Sequence, residues 1–122
     1  MKNPELDALI SQLETRHDLT FADLQGVAGA LTFLLPETVT PDPLLAERLH
    51  SADEAMHIAD HAYPNWSVHI RGRANDTDGH WHCTLRESDK TDDDSYIGSG
   101  RSPILGQAIL AAVLRLTMMI KR

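Results

Sequence analysis

Two short segments of this chain alternate apolar and polar residues in the same phase, and both carry a tryptophan at or near the start. They are Trp66-Ser67-Val68-His69-Ile70-Arg71-Gly72-Arg73 and His80-Trp81-His82-Cys83-Thr84-Leu85-Arg86. Side chains on a strand point to opposite faces with a period of two. Trp66, Val68 and Ile70 therefore share a face, as do Trp81, Cys83 and Leu85. His69, Arg71 and Arg73 fall on the other face, with His80, His82, Thr84 and Arg86. The segment between them ends in Asp78-Gly79, a hairpin signal. The pattern predicts an antiparallel pair with one apolar face that must be covered.

Helices are available to cover it. The run from Pro103 to Ile120 is apolar on nearly every side, interrupted by Gln107, Arg115 and Thr117. It is near the lower limit of the roughly 17–25 residues a membrane span needs, and a helix apolar all round reads better as a buried one. Upstream, Asn3-Pro4 marks a helix start, and Leu6, Leu9, Ile10 and Leu13 keep the i, i+3, i+4, i+7 spacing of an amphipathic helix over 4–16. Thr20 to Asp23 forms a capping-box variant opening a second helix to about Leu35. Its Gly26, Gly29 and Ala30 suit a close approach of another backbone, within the protomer or across a dimer.

Three prolines in 36–43 make a connector, and 43–49 is compatible with a short helix. Ser51-Ala52-Asp53-Glu54 is a full capping box for a helix to about Tyr63. Ser95 to Gly98 suggests a short third strand, and Ser102 with Pro103 the start of the last helix. The expected architecture is a single α+β domain over 1–122. A helical hairpin (4–35) and a Pro-rich connector (36–50) precede an α-β-β-(β)-α unit (51–122). An antiparallel sheet of two or three strands packs on the buried C-terminal helix, and the N-terminal helices form a further layer.

The formal charge of −7 disfavours nonspecific binding to nucleic acid or to an anionic membrane. The one cysteine, Cys83, excludes an intrachain disulfide and alternates onto the apolar face, where a thiol acts as a small hydrophobe. No apolar run follows the basic start, so no signal peptide is expected. A reducing cytoplasm suits the lone thiol.

Candidate sites are few. His57 and His61 lie four apart on one helix face, a spacing that can chelate a metal with strand histidines as further ligands, but no Glu follows His57 as the zincin motif requires. Asp76 to Gly79 begins like a calcium loop without completing the pattern. Gly98-Ser99-Gly100-Arg101-Ser102 before a helix has the outline of a phosphate-cradling turn, although a plain turn explains its glycines too. No nucleophile, base and orienting group assemble from local spacing, so no catalytic residue, metal or cofactor is assigned. The polar face of the strands is the best binding candidate: His69, Arg71, Arg73, His82, Thr84 and Arg86 favour an anion over a cation.

Two resemblances bear on the C-terminal part of the chain, the first over residues 51–120 and the second over 51–116. Trp66, Trp81 and the run Ser102-Pro103-Ile104-Leu105-Gly106-Gln107-Ala108-Ile109-Leu110-Ala111-Ala112 resemble small phage-type α/β/α sandwich proteins of unknown function. That resemblance implies the sandwich fold and supplies no catalytic residues. The element order, with Gly98-Ser99-Gly100-Arg101-Ser102 entering the last helix, is similar to a double-stranded-RNA-binding domain. Lysines follow the serine in that family, whereas Pro103, Ile104, Leu105 and Gly106 follow it here, so RNA binding is not carried over. The reading is a cytoplasmic, non-enzymatic homodimer that binds an unidentified protein or anionic partner through its sheet. The alternatives are a metal-binding protein using His57 and His61, and a prophage-derived structural or regulatory factor.

Overall fold

The computed structural model describes residues 4–16, 18–39, 44–49, 51–72, 81–87 and 97–120. The elements run α1 (Pro4–Thr15), α2 (Phe21–Leu34), α3 (Leu45–Arg48), α4 (Ala52–Ala62), β1 (Ser67–Gly72), β2 (Trp81–Arg86), β3 (Ile97–Ser102) and α5 (Leu105–Ile120). The strands form an antiparallel sheet in the order β1-β2-β3. Asn3, Arg73, the segment 74–79 with its hairpin signal, His80 and residues 88–96 lie outside the described residues.

Helix α5 is the centre of the molecule. It packs against β2 and β3, and against α4 and α1. Its residues from Gly106 to Leu114 are all buried, as are Leu116 and Thr117. The expected α+β layering is therefore present: sheet, central helix, then N-terminal helices.

Local chemistry places the helix ends. The Thr20 hydroxyl accepts from the Asp23 N–H while the Asp23 carboxylate accepts from the Thr20 N–H, a complete capping box. The two Thr20 hydrogen bonds hold the Asp23 carboxyl below its usual range. At α4 only one arm of the expected box forms. Ser51 Oγ accepts from the Glu54 N–H, but the Ser51 N–H donates to the Arg48 carbonyl. The Glu54 carboxylate turns instead to Arg48 Nε, at 3.3 Å.

The α4–β1 link is a tight turn. The Trp66 N–H donates to the Tyr63 carbonyl, and Asn65 has φ 70°. Pro64 followed by a left-handed residue is the signature of a type II turn, where Asn is second to Gly. Trp66 then packs against Tyr63 with the rings tilted, their centroids 5.2 Å apart. The Thr117 hydroxyl donates to the Val113 carbonyl, so Tyr63 O–H must donate to Thr117 Oγ1, at 2.6 Å. This bond ties the turn to α5.

Gln107, one of the polar residues interrupting α5, closes α1. Its Nε2 donates to the Leu13 and Arg16 carbonyls, at 2.9 and 2.6 Å. The last carbonyls of a helix lack intrahelical donors, and here a buried side chain from the far end of the chain supplies them.

Two expectations are corrected. Gly98 to Ser102 is a strand, not a phosphate-cradling turn, and α5 begins at Leu105, after Pro103. The glycines serve close packing. A Cβ on Gly98 would lie 2.5 Å from Leu116 Cβ and 2.7 Å from the Ala112 carbonyl oxygen. On Gly100 it would press on the Ala108 carbonyl oxygen and lie 2.6 Å from the Ala112 nitrogen. Second, the apolar face of the sheet is not all core. Cys83 and Leu85 are fully buried, whereas Trp66, Val68 and Trp81 are half-buried and Ile70 is 39% exposed. Helix α5 lies over β2 and β3, so β1 overhangs it.

Candidate anion-binding face

The register fixes which side chains share the outer face. Val68 pairs with Leu85 and Leu85 with Gly98, and Ile70 pairs with Cys83 and Cys83 with Gly100. Those positions face α5. The positions between them form three rows across the sheet on the opposite side. Arg71, His82 and Arg101 make one row; His69, Thr84 and Ser99 the next; Ser67, Arg86 and Ile97 the third. Directly paired residues sit about 4.5–5.5 Å apart at Cα. Arg71 and Arg101 are thus roughly 10 Å apart across the central strand, with a histidine between them.

The rows hold three arginines, two histidines and three hydroxyls, and no carboxylate, although the chain as a whole has a formal charge of −7. Their surface is a shallow depression of about 420 Å³, lined by His69, Arg71, His82, Thr84, Arg86 and Ser99 among others. Five of the six residues expected from the sequence, His69, Arg71, His82, Thr84 and Arg86, thus fall together. The sixth, Arg73, lies outside the described residues.

The sequence does not place Ser99 and Arg101 on this face, because the expected third strand ends at Gly98 and the residues after it read as a turn. The available signal was the period-two spacing of Gly98, Gly100 and Ser102, which leaves Ser99 and Arg101 on the other side.

The outer edge of β3 is covered by an ion pair. Arg115 donates to both Glu14 carboxylate oxygens at 2.7 Å and to the Ser99 carbonyl at 2.7 Å. Glu14 also accepts from the Arg101 main-chain N–H, at 3.2 Å. Burial alone would raise the Glu14 carboxyl, but the Arg115 hydrogen bonds and charge and the Arg101 N–H outweigh it and hold it below its usual range. The pair satisfies an edge that would otherwise offer open backbone groups. It also anchors Arg101, at the end of its row, to α1.

Among the described residues the metal reading does not assemble. His57 and His61 are on α4 with ring centroids 4.0 Å apart, and His61 Nδ1 lies 3.0 Å from the His57 carbonyl oxygen. His69 and His82 point away from α5, to the far side of the sheet. Among the described residues no group of three or more His, Cys, Asp or Glu is placed to hold an ion. Cys83 is fully buried, which pushes its thiol up to about 11 and leaves little thiolate for reaction. Among the described residues no helix is long and apolar enough to cross a membrane.

Comparison with protein-family models, with curated proteins and with solved structures finds no match for this chain.

Proposed function

We propose that this chain is a non-enzymatic binding module that holds an acidic segment of a partner protein on the outer face of its sheet. The carrying observation is charge sorting: every outward row of the strands carries a cationic or imidazole side chain and none carries a carboxylate, in a chain that is acidic overall. Guanidinium groups bind carboxylates through two parallel N–H···O bonds. The row Arg71–His82–Arg101 offers two such forks roughly 10 Å apart, with the Thr84 and Ser99 hydroxyls alongside. The depression is broad and shallow, which suits an extended segment more than a compact metabolite. A reducing, cytoplasmic setting agrees with the single buried thiol.

The test is fluorescence anisotropy with a labelled glutamate-rich peptide. Binding is expected at low salt, weakening as salt rises, and to be lost in Arg71→Glu with Arg86→Glu. An unlabelled single-stranded oligonucleotide serves as competitor. Absence of peptide binding by the wild type, or equal binding by the double variant, refutes the reading. Displacement of the labelled peptide by the oligonucleotide at far lower concentration than by unlabelled peptide makes nucleic acid the partner instead.

A further inference from the structure

We propose that the outward face of α2, with the groove between α1 and α2, docks a second copy of this chain, the two α2 helices crossing antiparallel about a two-fold axis beside Gly29. Helix α2 carries a single charge, Asp23, and the N-terminal cap and Arg16 occupy it. Its exposed positions are Phe21, Ala22, Gln25, Gly26, Gly29 and Phe33, all uncharged. A helix whose outer face meets only water is normally polar and charged there. Phe33 is 80% exposed, the most conspicuous apolar side chain on the described surface.

A knob and a hole lie on this one face. Phe33 forms one wall of a groove of about 390 Å³ whose other lining is Glu5, Leu6, Leu9, Gly26, Ala30 and Leu34. A two-fold interface pairs residue i with j and j with i. If Phe33 of one copy seats over Gly26 of the other, the axis passes midway, between Gly29 and Ala30. There a close helix crossing needs small side chains. Within one copy Gly29 has no packing reason to be glycine, since a Cβ on it meets nothing within 4 Å. The two-fold crossing supplies the reason.

Area sets the strength of the contact, and charge sets where two copies can meet. Helix α2 is about 21 Å long, and with α1 beside it the face offers roughly 400 Å² of projected footprint. That is about half of the roughly 800 Å² per partner of a standard interface, the size of a weak, reversible dimer. Copies that each carry a charge of −7 repel one another, and a face whose groove carries one carboxylate, Glu5, is where they meet with least repulsion. Salt should therefore strengthen this contact, the opposite of its effect on the sheet face.

The experiment is sedimentation velocity over a wide protein concentration range, with disulfide trapping. Wild type is expected to pass from monomer to dimer, more readily at higher salt. Phe33→Glu should weaken self-association at least about tenfold with an unchanged circular dichroism spectrum. Gly29→Cys should form a disulfide-linked dimer on mild oxidation, because symmetry places both thiols at the axis, and the buried Cys83 does not compete. Ala22→Cys should not, its mates being roughly 20 Å apart. A wild type that stays monomeric throughout, an undiminished Phe33→Glu dimer, or trapping of Ala22→Cys as fast as Gly29→Cys overturns the proposal. Loss of the dimer in Arg71→Glu with Arg86→Glu does so too, by moving the contact to the sheet.

Discussion

Gly100→Ala tests whether the sheet and its central helix meet at backbone distance. The added methyl would press on the Ala108 carbonyl oxygen, lie 2.6 Å from the Ala112 nitrogen and 2.8 Å from Ala111 Cβ. These are backbone or Cβ atoms that no rotamer change can move, so β3 and α5 must part by several tenths of an ångström. Overpacking a tight core costs about 1–3 kcal/mol, and with main chain on both sides the upper end applies. Reduced freedom of the unfolded chain returns roughly 0.4–1 kcal/mol, leaving a net loss of about 2–2.5 kcal/mol. With an unfolding entropy of about 2.1 cal/mol/K per residue over 122 residues, this lowers Tm by roughly 8–10 °C. Differential scanning calorimetry reads it directly. Gly29→Ala, in protein dilute enough to be monomeric, is the internal control. It sits in mid-helix with open space around it, so Ala should stabilise by about 0.5–1 kcal/mol, or roughly 2–4 °C. A Gly100→Ala protein that melts at or above the wild-type temperature refutes the close-approach argument.

Gln107→Met keeps the side-chain length but strips the donor from the Leu13 and Arg16 carbonyls; about 2 kcal/mol should be lost, measured by urea denaturation. For Glu14 the sign follows from its lowered pKa. Its stabilisation is complete above the unfolded value of 4.5 and fades as pH falls through the lower folded value. Glu14→Gln should therefore be less stable than wild type at neutral pH, by no more than about 1 kcal/mol given the part-exposed Arg115. The gap should narrow in acid, as thermal melts over a pH series will show. Cys83 should resist iodoacetamide in the native state and react at once in guanidinium, followed by mass spectrometry.

Much of this arrangement is legible in the residues, for identifiable reasons. The tryptophan strands announce themselves because alternation is the periodicity of a sheet with one dry face. The helices carrying Leu6 to Leu13 and Leu24 to Leu35 do so through their apolar spacing and caps. Only the start of β3 is legible by the same rules: Ser95 to Gly98 suggests a strand, but its run on to Ser102 does not. Gly98 and Gly100 are poor strand formers, and what makes them a strand is the pairing offered by β2 and the flat Ala108–Ala112 surface of α5. Such a requirement appears only when both segments are considered together. Arg101 and Ser99 were missed with it, although their row partners Arg71 and Thr84 were found. The overhang of Ile70 was likewise invisible, because alternation says which way a side chain points and not how far a covering helix extends.

The clasp between α1 and α5 has a consequence for how the chain folds. Gln107 reaches Leu13 across 94 positions and Arg115 reaches Glu14 across 101. β3 meets α1 through the same carboxylate. Helical hairpins usually collect their contacts from sequence neighbours and fold fast. Here the first helix gains its seat only when the last one has arrived, and closing so long a loop carries an entropic cost before any contact offsets it. Folding in milliseconds or slower, as for chains rich in distant pairings, is the expected regime. Until then the apolar stripe of α1 has no core to enter.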